Sequence, residues 1–201
     1  MRIGILALQG DFIEHAKILT GLGIQVVEVR LPEHLIGLDG LIIPGGESTT
    51  IAKLATEFGL LEPLSDFGIR KPVWGTCAGM IFLSKDIGRE QPTLKLMDIA
   101  VDRNAFGRQA DSFETELKVE GLEGEPFHAV FIRAPVVTGV EQTAGVEILS
   151  RLADGRVVAV RQGHLLATAF HPELTSDSRL HEFFARIVAE HQDKQATHSS
   201  S

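Results

Sequence analysis

The run Val73-Trp74-Gly75-Thr76-Cys77-Ala78-Gly79-Met80 decides the fold. An apolar stretch suited to a short strand enters a turn of small residues, and a helix-like stretch follows, which is the sequence form of a nucleophile elbow. A strand feeding a sharp turn into a helix presents the apex side chain, here Cys77, while Gly75, Ala78 and Gly79 let the backbone close without steric conflict. A thiol at a helix N-terminus sits at the positive end of the helix dipole, which favours the attacking thiolate. A free cysteine is otherwise a small buried hydrophobe, so the strand-turn-helix context carries this reading and the residue alone does not.

Nearly a hundred residues downstream, Leu165-Leu166-Ala167-Thr168-Ala169-Phe170 runs into His171-Pro172-Glu173. In an extended segment residues two apart share a face, so His171 and Glu173 are presented together with the proline stiffening the spacer. A cysteine thiolate, a histidine base and a carboxylate that orients the histidine make a generalised triad, close in space though distant in sequence. A third stretch, Leu41-Ile42-Ile43-Pro44-Gly45-Gly46-Glu47-Ser48-Thr49, again runs from strand through a glycine turn into a helix. Its backbone N–H groups suit one wall of an oxyanion hole at Gly46, with the Ala78 amide as the other. The competing phosphate cradle lacks a Walker lysine and the spaced glycines of a dinucleotide site, and Glu47 would repel a phosphate.

Around these three points the first half of the chain alternates. Arg2 to Leu8, Gln25 to Val29, Gly40 to Ile43 and Val73 to Thr76 read as strands. Asp11 to Leu22 reads as a helix with Phe12, Ala16, Leu19 and Leu22 on one side, and Ser48 to Phe58 as another. The alternation predicts an α/β fold of three layers: a mostly parallel central sheet with helices on both faces. From Leu94 to Phe170 short alternating runs around turns such as Ala153-Asp154-Gly155-Arg156 predict an antiparallel extension of the same sheet. A last helix from Ser178 to about Ala189 places Leu180, Phe183, Phe184, Ile187 and Val188 on one stripe, with Thr175-Ser176-Asp177 as its cap. Residues 1–190 read as a single domain, and the polar segment 191–201 as a disordered tail.

The 201 residues carry 44% hydrophobic side chains, enough for one core, and a formal charge of -8 that argues against a nucleic-acid surface. One cysteine excludes an internal disulfide. No cationic leader precedes an apolar segment, and no apolar run has membrane-spanning length, so a cytoplasmic chain is expected, in a reducing compartment that suits a thiol nucleophile. Eight histidines form no spaced ligand pair with each other or with Cys77, so no metal is expected. Arginines in loops are usually solvated, and Arg103, Arg108 and Arg133 take that reading from the residues alone.

Gly45-Gly46-Glu47-Ser48, Gly75-Thr76-Cys77-Ala78-Gly79 and His171-Pro172-Glu173, in this order and at these separations, resemble the class I, triad-type glutamine amidotransferases of flavodoxin-like fold. Leu8-Gln9-Gly10, Arg103-Asn104-Ala105-Phe106-Gly107-Arg108-Gln109 and Phe131-Ile132-Arg133-Ala134-Pro135 narrow the resemblance to glutaminase subunits of pyridoxal 5'-phosphate synthase. It runs from about Ile3 to about Val188 and departs at Ile13, where a basic residue is expected.

The resemblance implies a glutaminase domain that uses Cys77, His171 and Glu173 without a cofactor. It further implies that Gly46, Glu47, Ser48, Arg103, Ile132 and Arg133 line the L-glutamine site, and that Gln9 and His15 lie on the edge facing a partner synthase subunit. Two rivals stay open: another cysteine hydrolase of this fold, an amidase or peptidase, and a non-catalytic regulatory subunit.

Overall fold

The computed structural model describes residues 1–103, 112–140 and 144–198. Its first half is strand and helix in turn: β1 (Arg2–Leu6), α1 (Phe12–Gly21), β2 (Gln25–Val29), β3 (Gly40–Ile43), α2 (Ser48–Glu57), α3 (Leu61–Arg70), β4 (Val73–Thr76) and α4 (Ala78–Leu83). The second half is β5 (Ser84–Asp86), β6 (Met97–Asp102), β7 (Ser112–Leu117), β8 (Phe127–Ile132), β9 (Val136–Val140), β10 (Val146–Arg151), β11 (Val157–Gln162), β12 (Leu165–Thr168) and α5 (Arg179–His198). No described helix is long and apolar enough to cross a membrane.

One sheet runs in the order β2-β1-β3-β4-β12-β11-β9-β6-β5, with β10 added on β11. The neighbours from β2 through β12 are parallel, whereas β11 is antiparallel to β12, β9 and β10. Every residue of β3, β4 and β12 is buried, as expected of parallel strands covered on both faces. Trp74 lies in this core with no exposed surface, its indole N–H donating to Thr168 Oγ1 at 3.1 Å.

Three expectations need correction. The helix α3 was not anticipated: Pro63 and Gly68 blur its pattern, yet Leu64 and Phe67 are buried on its inner face. The alternating region is not one extension, because β7 and β8 pair only with each other as a separate two-stranded sheet. Phe113 stacks on Phe131 at 4.5 Å, and Phe131 in turn packs 5.4 Å from Phe170, so this hairpin covers the strand end that carries His171. The segment from His191 is not disordered as far as His198, since α5 continues through it. His191 Nε2 and Gln195 Nε2 lie 2.8 and 3.3 Å from the Arg70 carbonyl oxygen at the end of α3, and the His191 ring packs 4.7 Å from His164. A polar composition hid this because the contacts are with backbone and ring faces, not with an apolar core.

Candidate active site

Four adjacent parallel strands, β1, β3, β4 and β12, end at the same edge of the sheet, and the loops leaving them carry Gln9, Gly46, Cys77 and His171. Crevices beyond strand carboxyl ends are where open α/β sheets place ligands. The Cys77 backbone has φ 48° and ψ -106°, a conformation rarely adopted by residues with a side chain, and the Cys77 N–H donates to the Thr168 carbonyl at 2.8 Å. That bond ties the strained elbow to β12, so the surrounding fold maintains the strain. Gly79 is required here: a Cβ on it would drive into the Ile43 carbonyl oxygen. Cys77 Sγ lies 3.9 Å from the Ile132 carbonyl oxygen.

The His171 backbone N–H donates to the Val130 carbonyl at 2.8 Å, which fixes the main chain at His171 against β8. Its Nδ1 lies 2.7 Å from Glu173 Oε1 and 3.4 Å from Asp11 Oδ2. The sequence reading of an extended His171-Pro172-Glu173 is corrected: Pro172–Leu174 is a 3-10 turn, and it is the turn that folds Glu173 back beneath His171. Burial works against a charge on His171, but hydrogen bonds with Asp11, Cys77 and Glu173 outweigh it and raise its pKa to about 12. Burial pushes Glu173 up, against the hydrogen bond from His171. The raised value makes His171 an imidazolium flanked by the Asp11 and Glu173 carboxyls and the Cys77 sulfur.

Asp11 was missed as a contributor, although its place just after Gln9-Gly10 at the end of β1 was a signal. His15 is corrected more sharply. It is fully buried, so it is not on an exposed partner-facing edge. Its Nε2 lies 3.3 Å from Glu173 Oε2, beneath the triad. Gln9 is partly exposed, and its Oε1 accepts the Glu47 N–H at 2.7 Å.

Around the glutamine-site residues the geometry is mixed. Gly46 has φ 148°, and a Cβ there would strike the Gln9 amide, so glycine is needed on both counts. Glu47 caps α2, accepting from the Thr49 and Thr50 N–H groups and from both hydroxyls, and its Oε1 also lies 3.2 Å from Arg103 Nη2. Burial opposes ionisation of Glu47, but the threonine hydrogen bonds prevail and lower its pKa to about 2. Ser48 Oγ and Arg103 Nη1 are buried with no hydrogen-bond partner among the described residues. Ile132 and Arg133 are exposed at the end of β8, Arg133 with φ 43°. Arg108 and the rest of its motif, residues 104–109, lie outside the described residues, as do 199–201 of the tail.

Asp11, His171 and Glu173 are the one described cluster whose ligand atoms come close enough to share a metal ion, all within 4.8 Å. His171 Nδ1 is already committed to Glu173, and a cation would have to displace its proton.

Over residues 5–190 the sequence matches the SNO glutamine amidotransferase family, and the chain belongs to that family. A solved crystal structure of a glutamine amidotransferase superposes with a TM-score of 0.87 at 52% identity, covering 93% of this chain and 98% of that one. Among curated relatives, pyridoxal 5'-phosphate synthase subunit PdxT of Herpetosiphon aurantiacus is 60% identical over 189 residues, which is 92% of this chain and 98% of the relative. The subunit of the same name from Dehalococcoides mccartyi is 56% identical over 195 residues, 95% and 99% of the two chains.

Proposed function

We propose that this chain hydrolyses L-glutamine to L-glutamate and ammonia and supplies the ammonia to a synthase subunit that makes pyridoxal 5'-phosphate. The observation that carries the reading is the strained Cys77 elbow beside a His171 whose Nδ1 is 2.7 Å from Glu173. The Cys77 thiolate attacks the side-chain amide carbon, and the oxyanion is stabilised by backbone N–H groups of Gly46 and Ala78. His171, oriented by Glu173, gives its proton to the departing nitrogen as the tetrahedral intermediate collapses to a thioester. The neutral imidazole then takes a proton from water, whose oxygen attacks the thioester; glutamate leaves and the thiolate is restored with a protonated His171. Each proton has a named carrier, and no cofactor enters.

Arg103 and Arg133 are assigned to the α-carboxylate, with Ser48, Glu47 and the Ile132 backbone completing the pocket. Ser48 Oγ and Arg103 Nη1, buried without partners among the described residues, support this, since such donors favour a ligand that satisfies them. Ammonia released into neutral water becomes ammonium and loses its nucleophilicity, so the glutaminase has to be docked on the enzyme that consumes its product. The reducing cytoplasm, where the thiol stays available, is the compartment that fits. Glutamate release from glutamine, measured with and without the synthase subunit, tests the reading: release that rises on adding the subunit is expected, and no release in either case contradicts it.

A further inference from the structure

The buried polar chain does not stop at Glu173. Oε1 of this carboxylate faces His171, while Oε2 has no well-aligned hydrogen bond among the described residues and lies 3.3 Å from His15 Nε2, with both side chains fully buried. His15 comes from α1, Glu173 from the turn after β12. The other His15 nitrogen, Nδ1, is 2.9 Å from Nε2 of His181 on α5, and Nε2 is also 3.3 Å from Oγ1 of Thr76, the residue before Cys77. Trp74 closes the group with its ring 5.7 Å from His15 and 5.0 Å from His181.

Burial keeps both imidazoles neutral, His15 well below the usual histidine range and His181 at about 4. Each ring therefore has one N–H to place. His181 Nδ1 has no partner among the described residues. A proton there would be a buried unmet donor, and His15 would then have to donate from Nδ1 and turn a lone pair on the Glu173 carboxylate. The other arrangement avoids both penalties: His181 Nε2–H donates to His15 Nδ1, and His15 Nε2–H lies between Thr76 Oγ1 and Glu173 Oε2, each 3.3 Å from the nitrogen.

We propose that His15, its tautomer set by His181, is a positioning residue that holds the second carboxylate oxygen of Glu173 and so keeps Oε1 aimed at His171. The inference rests on the glutaminase reading for its kinetic consequence but not for its geometry. His15 touches no substrate, so its loss acts on turnover and leaves glutamine binding alone.

The test compares His15→Met, which fills the space without a donor, with His15→Gln, whose amide nitrogen reaches the Nε2 position. Two readouts are taken with saturating synthase subunit: kcat and KM for glutamine, and the downfield proton resonance of His171 Nδ1–H, assigned by its loss in His171→Asn. His15→Met is expected to lower kcat by about tenfold or more with KM unchanged and to move or broaden the resonance, while His15→Gln stays near wild type in both. Wild-type values in His15→Met, or equal damage in His15→Met and His15→Gln, would overturn the proposal. Should His15→Met not fold, His181→Met removes the tautomer partner while leaving His15; a shifted resonance supports the proposal and an unchanged one overturns it. A wild-type protein that released no glutamate would sink the glutaminase reading, yet the resonance would still report whether His15 governs Glu173.

Discussion

Gln9 holds Glu47 through a 2.7 Å hydrogen bond from the Glu47 N–H to the Gln9 side-chain oxygen. One peptide earlier, the Asp11 N–H donates to the Gly45 carbonyl at 3.3 Å. The two bonds pin both flanks of Gly46, whose N–H is assigned to the oxyanion, and the Gly45-Gly46 peptide can rotate only if the longer one breaks. A glycine peptide turns at little steric cost, so a docked partner could set its orientation through the β1 loop. Gly46→Val should therefore reduce partner-activated turnover by about a hundredfold to a thousandfold, the usual effect of a lost oxyanion donor. Gln9→Leu should reduce it less. Stopped assays of glutamate release with saturating synthase subunit check both, and full activity in Gly46→Val would remove Gly46 from the hole.

The φ of 48° at Cys77 is a stored strain that any side chain other than hydrogen pays to maintain. Cys77→Ala keeps the strain and loses the thiol; Cys77→Gly loses both. The glycine variant is expected to be more stable than the alanine variant by about 1 kcal/mol, read from urea midpoints, with both inactive. Equal stability would mean the elbow is relaxed.

Arg103→Ala and Arg133→Ala should raise KM for glutamine more than they lower kcat, because an α-carboxylate contact exists in ground and transition states alike. A charge-assisted hydrogen bond contributes about 1.5 to 3 kcal/mol, on the order of tenfold to a hundredfold in affinity. Unchanged KM in both variants would return these arginines to a structural role.

The buried pair beneath the triad has a signature in stability. Burial depresses His181 to about 4, so the folded state favours its neutral form. The corresponding stability is fully present above the unfolded histidine value near 6.5 and is lost as pH falls from there toward 4. His181 alone contributes on the order of 3 kcal/mol across that window, and His15, depressed by burial and by His181 and His171, adds to it. Denaturation midpoints at pH 7 and pH 4.5 should lie closer together in His181→Gln than in wild type. An unchanged gap would show that carboxylates held low in the folded state, such as Glu47 and Asp177, and not these histidines, govern acid unfolding.

Much of the parallel half was legible because its signals are local. Strands β2, β3 and β4 have the bounds read from their apolar runs, and the small residues after Thr76 announced the elbow. Residues that depend on distant partners were not. His15 looks like a surface helix residue until His181, 166 positions away, closes over it. Asp11 reads as the first residue of a helix until the chain folds and His171 Nδ1 lies within 3.4 Å of its carboxylate. Glu47 is expected from the resemblance to line the glutamine site, and its neighbours Thr49 and Thr50 give no hint in the sequence that they would hydrogen-bond its carboxylate as a helix cap.

The central claim is that Cys77 is the nucleophile in a glutaminase. Intact-protein mass spectrometry after treatment with an electrophilic glutamine analogue, in the presence of the synthase subunit, addresses it directly. One adduct per chain, mapped to Cys77 and accompanied by loss of glutamate release, is the expected result; an adduct elsewhere, or glutamate release that survives complete modification of Cys77, would contradict it.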